Sequence, residues 1–315
     1  MQHEAMMPRK VILDMDPGFD DALALCVALA APELEVLAVT ATGGNVPPRQ
    51  ATRNVQALVE QLDPPRWPRI GAASQDQILR TDARHLHGDD GLCGAHFEVA
   101  ELANRHRSLK VLIDEIRKAP GEVTLIATGP LSNIADLLRC EPDLAGEIGH
   151  LIIVGGAVSV PGNVTAAAEF NIYCDSDAAR QVFRSPVTKT VIPIDVTTQL
   201  VLGFDFMDAL KQQTSPAATL LARVLPGAYR SYRQHLGIEG VYVHDAIAVV
   251  AALRPSLFTT ERMHGDVETS GELTHGATIF DRRTTNHEQP NMDVATKMDV
   301  VEVEAAITQT LAAAG

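Results

Sequence analysis

Short apolar runs alternate along the chain with longer stretches whose apolar positions recur every three to four residues. The runs Val11–Asp14, Val36–Thr42, Val123–Thr128, Leu151–Val154 and Thr190–Ile194 predict strands. The stretches Asp20–Ala30, Pro48–Leu62, Leu109–Lys118, Leu131–Arg139 and Ser176–Phe183 predict the helices between them. Repeated strand–helix alternation implies βαβ units and a mainly parallel sheet. Leu125-Ile126-Ala127 and Leu151-Ile152-Ile153-Val154 carry no polar alternation, as expected of strands covered on both faces.

Beyond about residue 200 the pattern changes. Ala217–Gln234 and His244–Leu253 predict helices, Arg262–Met298 short strands and turns, and Val300–Ala313 a closing helix. Gln75–Gly94 has little periodicity and holds Asp82, His85, His87, Asp89 and Asp90. It reads as a long surface loop, and loops of that length often act as lids. No linker-like tract separates the halves, so residues 1–315 are expected to form one domain, with 1–10 disordered. The expected class is α/β: an open, mainly parallel sheet flanked by helices, with small late antiparallel strands.

Composition narrows the partners more than the fold. A net charge of −14 argues against a surface that neutralises phosphate backbones, so no nucleic-acid partner is expected. No apolar run approaches the roughly 18 residues needed to cross a bilayer, so no membrane partner is expected either. Met1–Lys10 lacks the apolar core of a secretory signal. Cys26, Cys93, Cys140 and Cys174 are far apart with no Cys-x-x-Cys pair, which fits free thiols in a reducing cytoplasm.

The segment richest in chemistry is Asp14-Met15-Asp16-Pro17-Gly18-Phe19-Asp20-Asp21, directly after the first apolar run. If the strand extends through them, Asp14 and Asp16 share one face. Pro17-Gly18 then turns the chain, and Asp20-Asp21 open the next helix. One or two of these carboxylates could cap that helix and favour its positive end. Four so close repel one another, and a hard divalent cation resolves the conflict, an all-oxygen set suiting Ca²⁺ or Mg²⁺. The spacing excludes a twelve-residue EF-hand loop. Haloacid-dehalogenase-type phosphatases also place Asp-x-Asp after a first strand, but the position four after Asp14 is Gly18, where they carry Thr or Val.

The same octapeptide resembles the N-terminal signature of the inosine–uridine-preferring nucleoside hydrolases. Four further segments fall in that family's order: Thr42-Gly43-Gly44-Asn45, then Thr128-Gly129-Pro130-Leu131-Ser132-Asn133, then Gly162-Asn163 with Glu169-Phe170-Asn171, and finally His244-Asp245. The resemblance implies an open α/β fold with its site at strand carboxyl ends, and hydrolysis of the N-glycosidic bond of ribonucleosides, purine and/or pyrimidine. It implies Ca²⁺ held by Asp16, Asp21, the Thr128 carbonyl and Asp245, with Asp14 an inner member of the cluster. Asp16 would take a proton from metal-bound water, and His244 would assist the departing base.

For the ribose, the resemblance implies Asp20 on the 2′-hydroxyl side, Asn171 near the 3′-hydroxyl, and Asn163 and Glu169 near the 5′-hydroxyl. Asn45 and Phe170 join that set. His85-Leu86-His87-Gly88 resembles the family's base-side loop, with His87 nearest the nucleobase and Leu86 packed against it. Tyr232 belongs to the aromatic residues that close over the base, whereas His85 reads as an exposed loop residue. Asn133 is left as a turn residue. The one tryptophan, Trp67, is far from any motif, so stacking between tryptophans is not expected. A homodimer or homotetramer is implied. The alternatives are a non-catalytic nucleoside-binding protein on the same fold and, below that, a metal-dependent phosphatase.

Overall fold

The computed structural model describes residues 7–99, 105–283, 285 and 288–313. The first half runs β1 (Arg9–Met15), α1 (Phe19–Ala30), β2 (Leu34–Ala41), α2 (Pro48–Leu62), β3 (Arg69–Ala72), α3 (Arg84–His87), β4 (His106–Arg107), α4 (Ser108–Lys118), β5 (Thr124–Ala127), α5 (Ser132–Cys140) and β6 (His150–Val154). The second half runs α6 (Phe170–Cys174), α7 (Ser176–Arg184), β7 (Lys189–Ile192), α8 (Ile194–Thr197), β8 (Val201–Leu202), α9 (Phe204–Leu210), α10 (Pro216–His235), β9 (Val241–Tyr242), α11 (His244–Leu253), β10 (Phe258–Val267), β11 (Thr278–Asp281), β12 (Met292–Met298) and α12 (Val300–Ala313).

Ten strands form one sheet in the order β11-β10-β12-β7-β6-β5-β1-β2-β3-β4. From β12 to β4 every pairing is parallel, and only β10 pairs antiparallel, with β11 and β12. This is the α/β class expected, late antiparallel strands included; β8 and β9 add a separate antiparallel pair.

The unbroken apolar strands have a simple cause. Val11, Leu13 and Met15 enter one core with α1, α2, α10, α11 and α12, while Ile12 enters another with α4, α5 and α7. Ile126 and Leu125 divide in the same way, as do Ile152 and Leu151. With side chains pointing alternately to two buried faces, both sets must be apolar. Val11, Ile12 and Leu13 are each 0% exposed, and each such burial contributes roughly 1.5–3 kcal/mol.

The N-terminus corrects one expectation. Residues 1–6 lie outside the described residues, but Arg9 and Lys10 are not disordered. They open β1 in register with Leu34 and Glu35, and the Arg9 N–H donates to the Glu33 carbonyl at 2.8 Å. Backbone pairing orders these polar residues without any apolar signal. The short strand β3, the short edge strand β4 and the helix α9 were not expected from the pattern, being too short to show a period.

Candidate active site

β1 stops at Met15, so Asp16 lies in the turn rather than beside Asp14 on a strand face. The ladder closes there because the Thr42 N–H bonds to the Met15 carbonyl at 2.9 Å and Pro17 brings no N–H to extend it. Asp14 shares the face of Ile12, beneath α5, and receives Asn133 Nδ2 at 2.8 Å and Thr40 Oγ1 at 2.5 Å. Asn133 also donates to the Ala41 carbonyl at 2.8 Å. It ties α5 to β1 and β2, and is not the self-bonded turn residue that sequence suggested. Burial raises Asp14 to about 7, against these two hydrogen bonds.

Asp16 is held by backbone. Its Oδ2 accepts the Asn45 N–H at 2.6 Å, and Asn45 Nδ2 returns to the Asp16 carbonyl at 3.1 Å. Two glycines make room for the carboxylate: a Cβ on Gly44 would sit 1.9 Å from Oδ2, and one on Gly129 2.5 Å from Oδ1. Only a residue without a side chain fits at either place. Asp21 folds back to accept the Gly18 N–H at 2.8 Å and receives Thr128 Oγ1 at 2.8 Å.

Asp20, Asp21 and Asp245 each bring a carboxylate oxygen within 4.8 Å of the other two. Asp20 belongs to this triplet and also lines the cavity at this junction. Burial, then the charge of Asp21, raises Asp20 to about 8 and holds Asp16 well above the carboxylate range. Burial raises Asp21 to about 6 against the Gly18 N–H, and Asp245 is pushed well up by burial and then by Asp20, Asp21 and Asp16. Oδ2 of Asp14 and Oδ1 of Asp16 and Asp20 are buried without a hydrogen-bond partner. Buried carboxylates that crowd together with orphaned oxygens fit a hard cation, because it would reverse the repulsion and satisfy the oxygens. The Thr128 carbonyl is fixed nearby by Asn171 Nδ2 at 2.7 Å, which also donates to the Val154 carbonyl at 3.1 Å.

A cavity of about 350 Å³ opens at this junction. Asp20, Asn45, Thr128 and Asp245 line it together with Asn163, Glu169, Phe170 and Asn171, and so do Leu86, His87, Tyr232 and His244. Asp16 and Asp21 are not in the lining and are 1% and 0% exposed. Glu169 caps α6: its carboxylate accepts the N–H groups of Gly156, Asn171 and Ile172 at 3.0 to 3.1 Å, and burial raises its pKa. Asn163 is exposed, and its Oδ1 accepts the Phe170 N–H at 2.8 Å.

His87 stacks on Phe19, with ring centroids 5.2 Å apart, and its Nδ1 accepts the Phe19 N–H at 3.3 Å. That bond leaves the ring proton on Nε2. Burial lowers His87 to about 3 and His244 to about 4, so both rings are neutral near pH 7. His244 Nδ1 meets Thr197 Oγ1 at 2.7 Å, which leaves its Nε2 for other partners. Tyr232 packs edge-on to Phe19 at 5.3 Å and is 3% exposed. Tyr229, on the same helix, turns elsewhere and donates to the Gly203 carbonyl at 2.7 Å. Trp67 is not in the lining. Ile238 and Tyr242 do line the cavity, and no periodic signal in the sequence marked them.

With this geometry in place, the comparisons are consistent throughout. The model of the inosine-uridine preferring nucleoside hydrolase family matches residues 11–305. The pyrimidine-specific ribonucleoside hydrolase RihA of Klebsiella pneumoniae is 34% identical over 312 residues, covering 97% of this chain and 99% of that one. A plant nucleoside hydrolase structure superposes with a TM-score of 0.90 at 32% identity, covering 97% of this chain and 99% of that one. A purine-preferring ribonucleoside hydrolase from Gardnerella vaginalis gives 0.88 at 31% identity, with the same coverage.

Proposed function

The chain belongs to the inosine–uridine-preferring nucleoside hydrolase family and hydrolyses the N-glycosidic bond of ribonucleosides, and from that premise we propose how its residues divide the work. The observation that carries the proposal is a cluster of crowded, partly orphaned carboxylates that reaches, through Asp20 and Asp245, the cavity lined by two neutral histidines. Asp16, Asp21, Asp245 and the Thr128 carbonyl would hold a divalent cation; their all-oxygen donor set suits Ca²⁺ or Mg²⁺, and the family resemblance selects Ca²⁺. Such an ion supplies the charge that keeps the carboxylates ionised and makes nearby water more acidic.

Asp16 takes the proton from the attacking water. Its carboxylate is clamped between Gly44 and Gly129 and fixed by the Asn45 N–H, so it meets the water without reorganising. Asp20 grips the 2′-hydroxyl side of the ribose and Asn171 the 3′-hydroxyl, the Asn171 amide nitrogen being committed to two carbonyls so that Oδ1 faces substrate. Asn45, Asn163, Glu169 and Phe170 complete the sugar's surroundings. Negative charge beside the ring stabilises an oxocarbenium-like transition state.

On the base side, His87 presents Nε2–H as a hydrogen-bond donor, with Leu86 and Tyr232 as apolar walls. With Nδ1 accepting from Thr197 Oγ1, a neutral His244 would stabilise the departing nitrogen through an Nε2–H hydrogen bond as the glycosidic bond breaks, and the proton that nitrogen finally takes up comes from solvent. The substrate is purine and/or pyrimidine ribonucleoside. We read the chain as one domain in a reducing cytoplasm, which its free cysteines support, and as a homodimer or homotetramer, which light scattering tests. Incubation with inosine, uridine and a phosphomonoester tests the reaction. Reducing sugar is expected from the nucleosides and no phosphate from the ester, and the reverse would overturn the assignment.

A further inference from the structure

We propose that Asn54, a residue outside the cavity, is a positioning residue that couples the base-side loop to the carboxylate junction. The inference rests on the reading of His87 as a base-contacting group.

Asn54 lies on α2 and is 3% exposed. Its Nδ2 donates to two carbonyls that belong to different parts of the site. One is Pro17, in the turn between Asp16 and Gly18, at 3.1 Å; the other is Asp90, in the loop that carries Leu86 and His87, at 2.8 Å. Gln50, one helical turn earlier, donates its Nε2 to Asn54 Oδ1 at 2.8 Å and fixes which way the amide points. Gly91, with φ +77, is pressed against this contact. A Cβ there would lie 2.7 Å from Asn54 Nδ2 and 2.9 Å from the Pro17 carbonyl oxygen.

From Asp90 the connection runs back to His87 through short backbone bonds. The Gly91 N–H reaches the Gly88 carbonyl at 3.0 Å, and the Cys93 N–H reaches that of His87 at 2.8 Å. The Asp90 carboxylate stiffens the same turn by accepting the Leu92 and Gly94 N–H groups at 3.1 and 2.9 Å. His87 in turn rests on Gly18, where a Cβ would fall 2.2 Å from its Nδ1. The loop thus meets the junction twice, through His87 and through Asn54. One amide on α2 thus holds the turn through Pro17 and the loop through Asp90, where Gln50 Nε2 adds a bond at 3.4 Å, and the Asp90 carbonyl would lose these partners if the loop lifted away from the carboxylates.

The test is a double-mutant cycle on the full chain, with Asn54→Leu, which keeps the branched heavy-atom shape and removes the amide, and His87→Ala. Asn54→Leu is expected to lower kcat/KM for inosine or uridine about tenfold, chiefly through KM, the scale of one to two buried hydrogen bonds. Turnover of nitrophenyl riboside, whose leaving group needs little assistance, stays within about threefold of wild type. Added to His87→Ala, Asn54→Leu costs nothing further, since its effect passes through His87. Equal losses on both substrates, losses that add in the double mutant, or no loss at all would overturn the proposal. A His87→Ala enzyme with unchanged kinetics would overturn the reading beneath it as well. If Asn54→Leu does not fold, Gln50→Leu takes its place, with the same pattern at smaller size expected, and unchanged kinetics there would count equally against the coupling.

Discussion

Two regions face each other across the cavity, and they are built by different means. The junction 14–21 is made of strand end, turn and helix start, all packed in the core, with Asp14, Asp16 and Asp21 at most 1% exposed. The loop 75–94 has almost no core of its own and is fastened by scattered side-chain and backbone hydrogen bonds. Gln77 Oε1 accepts the Gly43 N–H at 2.8 Å, and the Ala83 N–H bonds to the Asn45 carbonyl at 3.2 Å. The junction stores unfavourable charge in a rigid place, where a cation relieves it. The loop carries neutral donors and apolar walls, as suits a group that reads an uncharged base. The difference teaches that charge is placed where the backbone cannot move, and recognition where it can be adjusted.

The sharpest way to break this contrast is to remove charge from the junction. Asp16→Ala should lower kcat for inosine or uridine on the order of 10³-fold, within the range for loss of a general base. A steady-state assay showing less than a tenfold loss would remove Asp16 from that role. His244→Ala is expected to be milder, roughly a hundredfold on natural nucleosides and far less on nitrophenyl riboside. Equal losses on the two substrates would mean that the ring positions Asp245 or the ribose instead.

The glycines separate the regions more finely. Gly44→Ala drives a methyl into the Asp16 carboxylate and should weaken cation binding as well as turnover, by about tenfold or more. Gly18→Ala drives one into His87 first and should impair natural substrates more than it weakens cation affinity. Gly146→Ala, with nothing within 4 Å of its Cβ, should change neither. Calorimetry with Ca²⁺ on the three variants reads this ordering directly.

Legibility followed the same division. The helices 48–62, 244–253 and 300–313 were readable to the residue because their apolar stretches coincide with starts at Pro48, at His244-Asp245 and just after Asp299. The carboxylates of the junction were readable because four acids together contradict any structural role alone. The hydrogen bonds of Asn133 were not, because they depend on where α5 begins relative to β1, nor was the approach of Asp20 to Asp245, which depends on how α1 meets α11. Neither distance is written in local pattern. The loop residues were visible only through resemblance, since a segment held by scattered hydrogen bonds has no period to read.

The smallest predicted effect lies far from the cavity. Lys189 is 1% exposed, donates to the carbonyls of Ser185 and Asn291 at 2.8 and 3.1 Å, and is lowered to about 8 by burial. Between that value and the unfolded one near 10.4 the unfolded chain binds the extra proton, so this residue's contribution to stability rises with pH. Urea unfolding should therefore show wild type gaining on Lys189→Met between pH 7 and pH 10. A relative loss would contradict the burial of the charged form.

The central claim, that the junction is a cation site required for hydrolysis, is tested most directly by titrating metal-free protein with Ca²⁺ in a calorimeter, wild type beside Asp245→Ala. The account predicts one strong site per chain in wild type, with activity restored in step with its filling, and loss of both in Asp245→Ala. Undiminished Ca²⁺ affinity in the mutant, or full activity of the wild type after exhaustive chelation, would contradict it.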